Sequence, residues 1–295
     1  MFDENAYMPS DVNIKNLEKL SSEQNDLQMR RVCEISEIAY TASKVALELH
    51  SEGMGLYEIL SVLSESFVFD KIEDRISFAR LLPDRLKRNG ISAIETDFFR
   101  QTERKQVFVF VKNLLSDEAY DVFSQEFSSP RLRYVQGIRD AVKAVNDGEA
   151  GYCILPLEER GGVRLSSVAE LIFGNELKIN EVTPVFGQDG TADMKYALVS
   201  KCFTIPKITA DDDRYLEICL SCSDSLALDE LLFVASAYKI APYKVNTVFF
   251  YTDEGTKPHY SIVLRDEGDE LIPFLTYLTL YSDEFVPVGI YKNLE

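Results

Sequence analysis

Gly148-Glu-Ala-Gly-Tyr-Cys-Ile-Leu-Pro-Leu-Glu-Glu159, resumed by Ser167-Val-Ala-Glu-Leu-Ile172, is the stretch that decides the fold. Gly148 to Gly151 suit a surface turn and Tyr152 to Leu155 a buried strand. Pro156 has no N–H for a ladder and is expected to close that strand. Glu158 and Glu159 then suit a helix start, where acidic side chains offset the positive end of the helix dipole. Outward from this corner, strand and helix alternate. Val107-Phe-Val-Phe-Val111 is an unbroken apolar run that suits a buried strand. A helix follows from Ser116 to Phe127, with Ser116 as N-cap and Asp117 and Glu118 in its first turn. Further helices are expected over Ile138 to Asn146 and around Ser166 to Phe173, the latter capped by Ser166 or Ser167, and a strand over Met194 to Val199. Such alternation predicts an α/β unit with a parallel sheet.

The bulk numbers limit what this unit can belong to. A chain of 295 residues suits two or three domains, and 46% hydrophobic content with 18 Phe and 15 Tyr is ample for packed cores. Lys+Arg 31 against Asp+Glu 49 gives a net charge of −18, a field that repels phosphate backbones, and no basic cluster exceeds Arg100 to Lys105, so no nucleic-acid partner is expected. No apolar run has membrane-spanning length, and Met1-Phe-Asp-Glu lacks the layout of a signal peptide; the expectation is a soluble cytoplasmic protein without membrane contact. Five cysteines without a leader argue for reduced thiols. Cys219 and Cys222 have C-x-x-C spacing, but on a strand they face opposite sides, and no second Cys pair or His cluster completes a metal site.

Three segments follow from the texture of the chain. Residues 1–25 read as a loose lead-in; an apolar stripe from Leu27 to His50, then Leu56 to Phe69, Arg75 to Arg88 with a break at Pro83, and Ile94 to Lys105 read as helices. The helical region covers residues 1–104, the α/β unit 105–204, and the third segment 213–295, after the acidic linker Ile205 to Asp213. In that third segment the order is strand Tyr215–Cys222, helix Leu226–Tyr238, strand Lys244–Tyr251, strand Tyr260–Arg265, helix Glu270–Tyr281 and strand Phe285–Tyr291. This is the βαββαβ order of a ferredoxin-like unit.

The Pro156-Leu-Glu-Glu159 corner resembles the "G-x-A-D-Y-G-V-V-P-I-E-N-S" signature of prephenate dehydratases, with Glu159 in place of Asn and Arg160 in place of Ser. The third segment is similar to the amino-acid-sensing ACT domain that follows in that family. Lys257-Pro258-His259-Tyr260 and Phe285-Val-Pro-Val-Gly-Ile-Tyr291 loosely match the "K-P-W-E-Y" and closing "F-V-K-V-L-G-S-Y" motifs. The resemblance runs over roughly residues 106–295. It implies a truncated periplasmic-binding-like α/β unit, an ACT-like regulatory domain that pairs into a homodimer, a place in phenylalanine and aromatic amino-acid biosynthesis, and no cofactor.

The family's working residues are eroded here. Its "G-x-x-G-x-Y-S" turn maps onto Phe110, Asn113, Leu115 and Ser116, of which only Ser116 agrees, and that residue also suits a plain helix cap. The catalytic "T-R-F" motif maps onto Met194-Lys195-Tyr196, where Met194 has no hydroxyl and Lys195 lacks the planar fork of arginine. Between Thr183-Pro-Val185 and Met194 only Phe186 to Asp193 intervene, where the family inserts a second lobe that closes its substrate cleft. In the ACT-like segment, "G-A-L" maps onto Leu226-Ala227-Leu228 and "E-S-R-P" onto Asn246-Thr247-Val248-Phe249. These are either an altered ligand site or ordinary core and interface positions.

The candidate set is therefore Lys195 and Glu158 for catalysis, and Ser116, Glu159, Arg160, Leu226, Ala227, Leu228, Asn246 and Thr247 for an aromatic amino acid or prephenate-like ligand. The expectation is a non-catalytic sensing or interaction module, a pseudoenzyme. An active prephenate dehydratase with a cleft rebuilt by the N-terminal helices is the alternative. The helical region resembles the end of a chorismate mutase domain, whose candidates for gripping a dicarboxylate are Arg30, Arg31, Lys44 and Gln106; a purely structural extension is the competing reading.

Overall fold

The computed structural model describes residues 11–98, 105–187, 192–203, 214–221, 225–252, 255–267, 270–281 and 285–292. Three helices open it, α1 (Asp11–Ser51), α2 (Leu56–Ser66) and α3 (Ile72–Arg88), followed by a 3-10 turn at Glu95–Phe98. The next stretch holds β1 (Val107–Val111), α4 (Leu114–Ser124), β2 (Arg131–Val135), α5 (Ile138–Asn146), β3 (Tyr152–Glu159) and β4 (Val163–Arg164). It continues with α6 (Ser166–Gly174), β5 (Lys178–Phe186) and β6 (Ala192–Ser200). The last stretch is β7 (Arg214–Ser221), α7 (Ser225–Ala237), β8 (Ile240–Thr252), β9 (Gly255–Asp266), α8 (Leu271–Tyr281) and β10 (Phe285–Lys292).

One sheet runs through the molecule in the order β2-β1-β3-β6-β5-β10-β7-β9-β8, with β4 paired to β3. The sequence predicts a parallel sheet for the α/β unit, but among its own strands β2-β1-β3 is parallel whereas β3, β6 and β5 pair antiparallel. The expected ferredoxin-like unit is present, as β10-β7-β9-β8 with α7 and α8 on one face. β10 joins β5 through the parallel partners Gly289 and Ile179. A Cβ on Gly289 would stand 3.0 Å from that of Ile179 and 2.8 Å from the Tyr291 ring, so glycine is what lets the strands meet.

The ferredoxin-like sheet has two unlike faces. Leu216, Ile218 and Leu220 of β7 join a core that includes α7, α8 and the N-terminal helices. Tyr215 and Cys219 join the opposite core with α5, α6, β3, β5 and β6. Helices α2 and α3 therefore lie over α8, with α1 packed on α3. These helices contribute no residue to the lining of the cavity described below.

Several local expectations need physical correction. Residues 11–25 are helical, with Lys19 and Glu23 paired at i,i+4; sparse apolar spacing hides this in the sequence. Residues 1–10 lie outside the described residues. Pro83 does not break α3, because burial of Phe78, Ala79, Leu82 and Leu86 holds the helix through it. Only Glu95–Phe98 of the proposed fourth helix is helical among the described residues. Neither β2 nor β5 was expected as a strand. The linker 205–213 and Cys222 fall outside the described residues. Cys219 is buried, and no metal-holding His/Cys/Asp/Glu group occurs among the described residues.

Candidate functional site at the junction of the sheet

The corner that opened the sequence is not a corner. β3 passes through Pro156 to Glu159, and neither Glu158 nor Glu159 begins a helix. The missing N–H of Pro156 is accommodated by a bulge: Pro156 sits opposite Tyr196 and Glu158 opposite Lys195, with a register shift between them. α6 begins later, with Leu165 as its N-cap and no side-chain cap from Ser166 or Ser167.

That bulge sets which face the candidates share. Along β6, Tyr196 and Leu198 face the core under α4, whereas Ala197 and Val199 face the core shared with the ferredoxin-like sheet. Lys195 belongs to the second face by alternation, and the bulge turns Glu158 there too. Both line a cavity of about 400 Å³ together with Leu157, Gly162, Val182, Tyr215, Tyr243, Lys244, Val263 and Tyr291. Strands from both halves of the sheet thus contribute to it.

Behind the cavity lies a buried chain of charges. The Glu158 carboxylate accepts a hydrogen bond from Lys244 Nζ at 2.9 Å and lies 3.6 Å from Arg164 Nη1. Arg164 Nη2 donates to Glu217, which also accepts from Ser261 Oγ at 2.8 Å and from the Tyr291 hydroxyl at 3.1 Å. The Arg164 side chain is 2% exposed and that of Glu217 0%. Burial alone lowers the Arg164 pKa, but the fields of Glu217, Tyr291 and Glu158 outweigh it and the guanidinium ends above its ordinary value. Burial, then Glu217, pushes the Tyr291 phenol well up, which keeps it a neutral donor. Lys244 reaches the Gly162 carbonyl as well, and a Cβ on Gly162 would lie 3.0 Å from its Nζ. With φ at +77°, Gly162 sits where glycine is favoured, in the tight β3–β4 turn.

The other candidates do not converge there. Ser116 is 2% exposed and is not the N-cap of α4. Asn113 is: its Oδ1 accepts from Ser116 N at 2.9 Å, while Ser116 Oγ accepts from Asn113 N at 3.1 Å and donates to Val111 O at 2.7 Å. This capping box consumes the serine hydroxyl. Glu159 and Arg160 are exposed at the end of β3, with Arg160 3.8 Å from Asp193. Leu228 packs against the helical-side core, and Thr247 is exposed. Asn246 Nδ2 is buried without a hydrogen-bond partner among the described residues. The side chains of Leu226 and Ala227 lie outside the described residues. Of the mutase candidates, Arg31 bonds Asp74, Lys44 lies over the Tyr40 ring and Gln106 accepts from Ser129 N, while Arg30 is exposed; they form no common site.

Sequence reasoning missed Lys244, Tyr215, Tyr243, Tyr291, Arg164 and Glu217. Glu217 carried a signal, a charge inside an otherwise apolar strand; Lys244 did not, because it meets Glu158 across 86 positions of chain.

Glu181 of β5, 8% exposed, gives a pH test of this core. Burial first, then Glu126, raises its pKa from 4.5 to about 7, with Lys292 opposing. A folded-state acid with a raised pKa prefers its proton, so the folded protein loses stability as pH climbs from about 4.5 to about 7 and is level above that. Glu181→Gln is expected to flatten this slope and to be the more stable protein at pH 8, measured by urea denaturation across pH.

No family model matches the chain, and no curated protein matches it. Solved structures do. Prephenate dehydratase from Streptococcus mutans superposes with a TM-score of 0.52 at 14% identity, over 64% of this chain and 99% of that one. In fold, the chain resembles a prephenate dehydratase. GqqA, described as a novel type of quorum-quenching acylase, matches at a TM-score of 0.47 and 16% identity over 64% of this chain and 95% of its own. Prephenate dehydratase from Arthrobacter aurescens, solved in complex with L-Phe, matches at 0.46 and 13% identity over 63% of this chain and 89% of its own. No helix among the described residues is long and apolar enough to cross a membrane.

Proposed function

We propose that this chain is a non-catalytic, ligand-responsive module of prephenate dehydratase descent, tied to aromatic amino-acid metabolism. The observation that carries this is the division of the inherited positions between two faces. Lys195 and Glu158 line the junction cavity, with Glu158 already engaged by Lys244 and Arg164, while Ser116 is closed into a helix cap on the far side. A dehydratase must hold its acid and its positioning groups around one substrate carbon. The short β5–β6 connection, residues 187–191, supports the reading that the second lobe of the α/β unit is lost. In this reading residues 1–104 are a structural brace, 105–204 the remnant α/β unit and 213–295 an ACT-like regulatory domain. Pairing of two copies through that domain is supported by β8, which ends the sheet and exposes Val245 and Phe249.

A second reading, an active dehydratase, is favoured by one fact: Lys195 and Glu158 do line the same cavity. Incubation with prephenate at neutral pH separates the two. The proposal expects no phenylpyruvate above the protein-free rate; turnover that Lys195→Ala abolishes would establish the enzyme instead.

A further inference from the structure

We propose that the junction cavity binds a small uncharged aromatic molecule carrying a carbonyl oxygen, with its ring among Tyr215, Tyr243 and Tyr291 and that oxygen on Lys244. This rests on the ligand-responsive reading above and gives it a place and a chemistry.

Size and walls set the ring. A cavity of about 400 Å³ admits a single substituted ring and a short side chain. Small-molecule sites span roughly 300–1,000 Å³, with mostly apolar walls and a few convergent polar groups. The walls follow that pattern, with Leu157, Val182 and Val263 beside the three tyrosines. Tyr215 meets Tyr243 edge-on at 4.9 Å and stacks with Tyr291 at 6.2 Å, so the tyrosines form one aromatic cluster. A further ring is favoured beside such a cluster, edge-to-face or offset. Tyr291 is 5% exposed and Tyr243 51%, so one forms the floor and the other the rim.

Charge then sets what the ligand cannot carry. The ionisable lining groups other than tyrosine are Lys195, Lys244 and Glu158, and each is already engaged. Lys244 pairs with Glu158, Glu158 also with Arg164, and Lys195 has a partner of its own. Behind them Arg164 pairs with Glu217. An anion that turns to Lys244 takes a cation from buried Glu158. A cation that turns to Glu158 meets Lys244 and Arg164 already there. Either exchange leaves a charge uncompensated away from water, and a zwitterion asks for both. An uncharged ring disturbs neither pair.

One donor is left to orient such a ring. An ammonium has three N–H groups. Among the described residues Lys244 commits two, to Glu158 at 2.9 Å and to the Gly162 carbonyl, and its side chain is 25% exposed. Those two bonds fix the ammonium at the cavity wall, so the third N–H is a positioned donor. A carbonyl oxygen accepts it without bringing a charge. The Tyr291 hydroxyl, by contrast, is committed to Glu217.

The test is calorimetric titration of the full chain at pH 7.5 with four ligands of matched size: 3-phenylpropanamide, 3-phenylpropionate, 3-phenylpropylammonium and L-phenylalanine. The expected result is one site per chain for the amide, with each charged ligand at least about fivefold weaker, as the abandonment of a paired charge implies. Lys244→Met is expected to weaken the amide about tenfold, the loss of one hydrogen bond to a charged group. Should that variant not fold, Tyr243→Ala, at the exposed rim, is expected to weaken it several-fold. A charged ligand that binds within about fivefold of the amide, or more tightly, overturns the proposal. Amide affinity unchanged in Lys244→Met or Tyr243→Ala overturns it as well. Absence of amide binding overturns it too, while leaving the non-catalytic reading to be decided by the prephenate assay.

Discussion

Arg164→Ala is expected to lower the stability of the folded chain by about 3–5 kcal/mol, read as a shift in the urea midpoint at constant slope. Arg164 is the cation that Glu217 and Glu158 share, and its side chain is 2% exposed. Removing it leaves the Glu217 carboxylate, 0% exposed, without its cation, and takes one of the two cations from Glu158. Lys244 still covers Glu158, but among the described residues Glu217 keeps only the neutral donors Ser261 and Tyr291. The cost comes from the abandoned charge, not from the strength of the pair itself. It follows that Arg164→Met with Glu217→Gln is expected to recover more than half of the loss, because Gln Oε1 still accepts from one of the two hydroxyls, its Nε2 donates to the oxygen of the other, and position 217 carries no charge. If the double variant is no better than Arg164→Ala, the loss is one of packing and the charge argument fails.

Phe108→Ala is the second large effect, expected at about 3–5 kcal/mol for deletion of a buried aromatic side chain. Phe108 is fully buried, and its ring contacts Tyr120, Phe127 and Tyr152 at centroid distances of 5.6, 4.8 and 5.2 Å. Phe110 extends the cluster toward Tyr120 and Tyr134. The result bears on function, because this cluster occupies the α4 side of β1, near the end of the strand where the dehydratase signature expects a glycine turn. Partially buried Leu115 and Met194 pack against the same core. An opening there would make Phe108→Ala a mild change, of order 1 kcal/mol as for substitutions away from a packed core.

What could be read from the sequence was what is local. The unbroken apolar run Val107–Val111 and the periodic Ile138–Asn146 stand in the structure where they were expected, and so does the βαββαβ order after residue 213. Arg131-Leu-Arg-Tyr-Val135 escaped because its polar–apolar alternation spans only five residues of an edge strand that is largely exposed on both faces. Pro156 misled for a related reason. A proline ends a strand when nothing across the ladder absorbs it, and here β6 does so through a bulge that no local pattern reveals. The site was half legible: Glu158 and Lys195 were named for a family motif and do share a cavity. Its other wall comes from the ferredoxin-like half, brought against β3 by the Gly289–Ile179 contact and the Arg164–Glu217 pair, both of which link residues distant in the chain. Ser116, a motif match that also suited a helix cap, takes part in a capping box with Asn113.

The central claim, proposed above, is that Lys195 and Glu158 do not turn prephenate over. A proton NMR time course of prephenate mixed with stoichiometric purified protein at neutral pH tests it most directly. The account predicts prephenate signals that decay no faster than in buffer. Accumulation of phenylpyruvate that depends on the protein, and stops with Lys195→Ala, would contradict it.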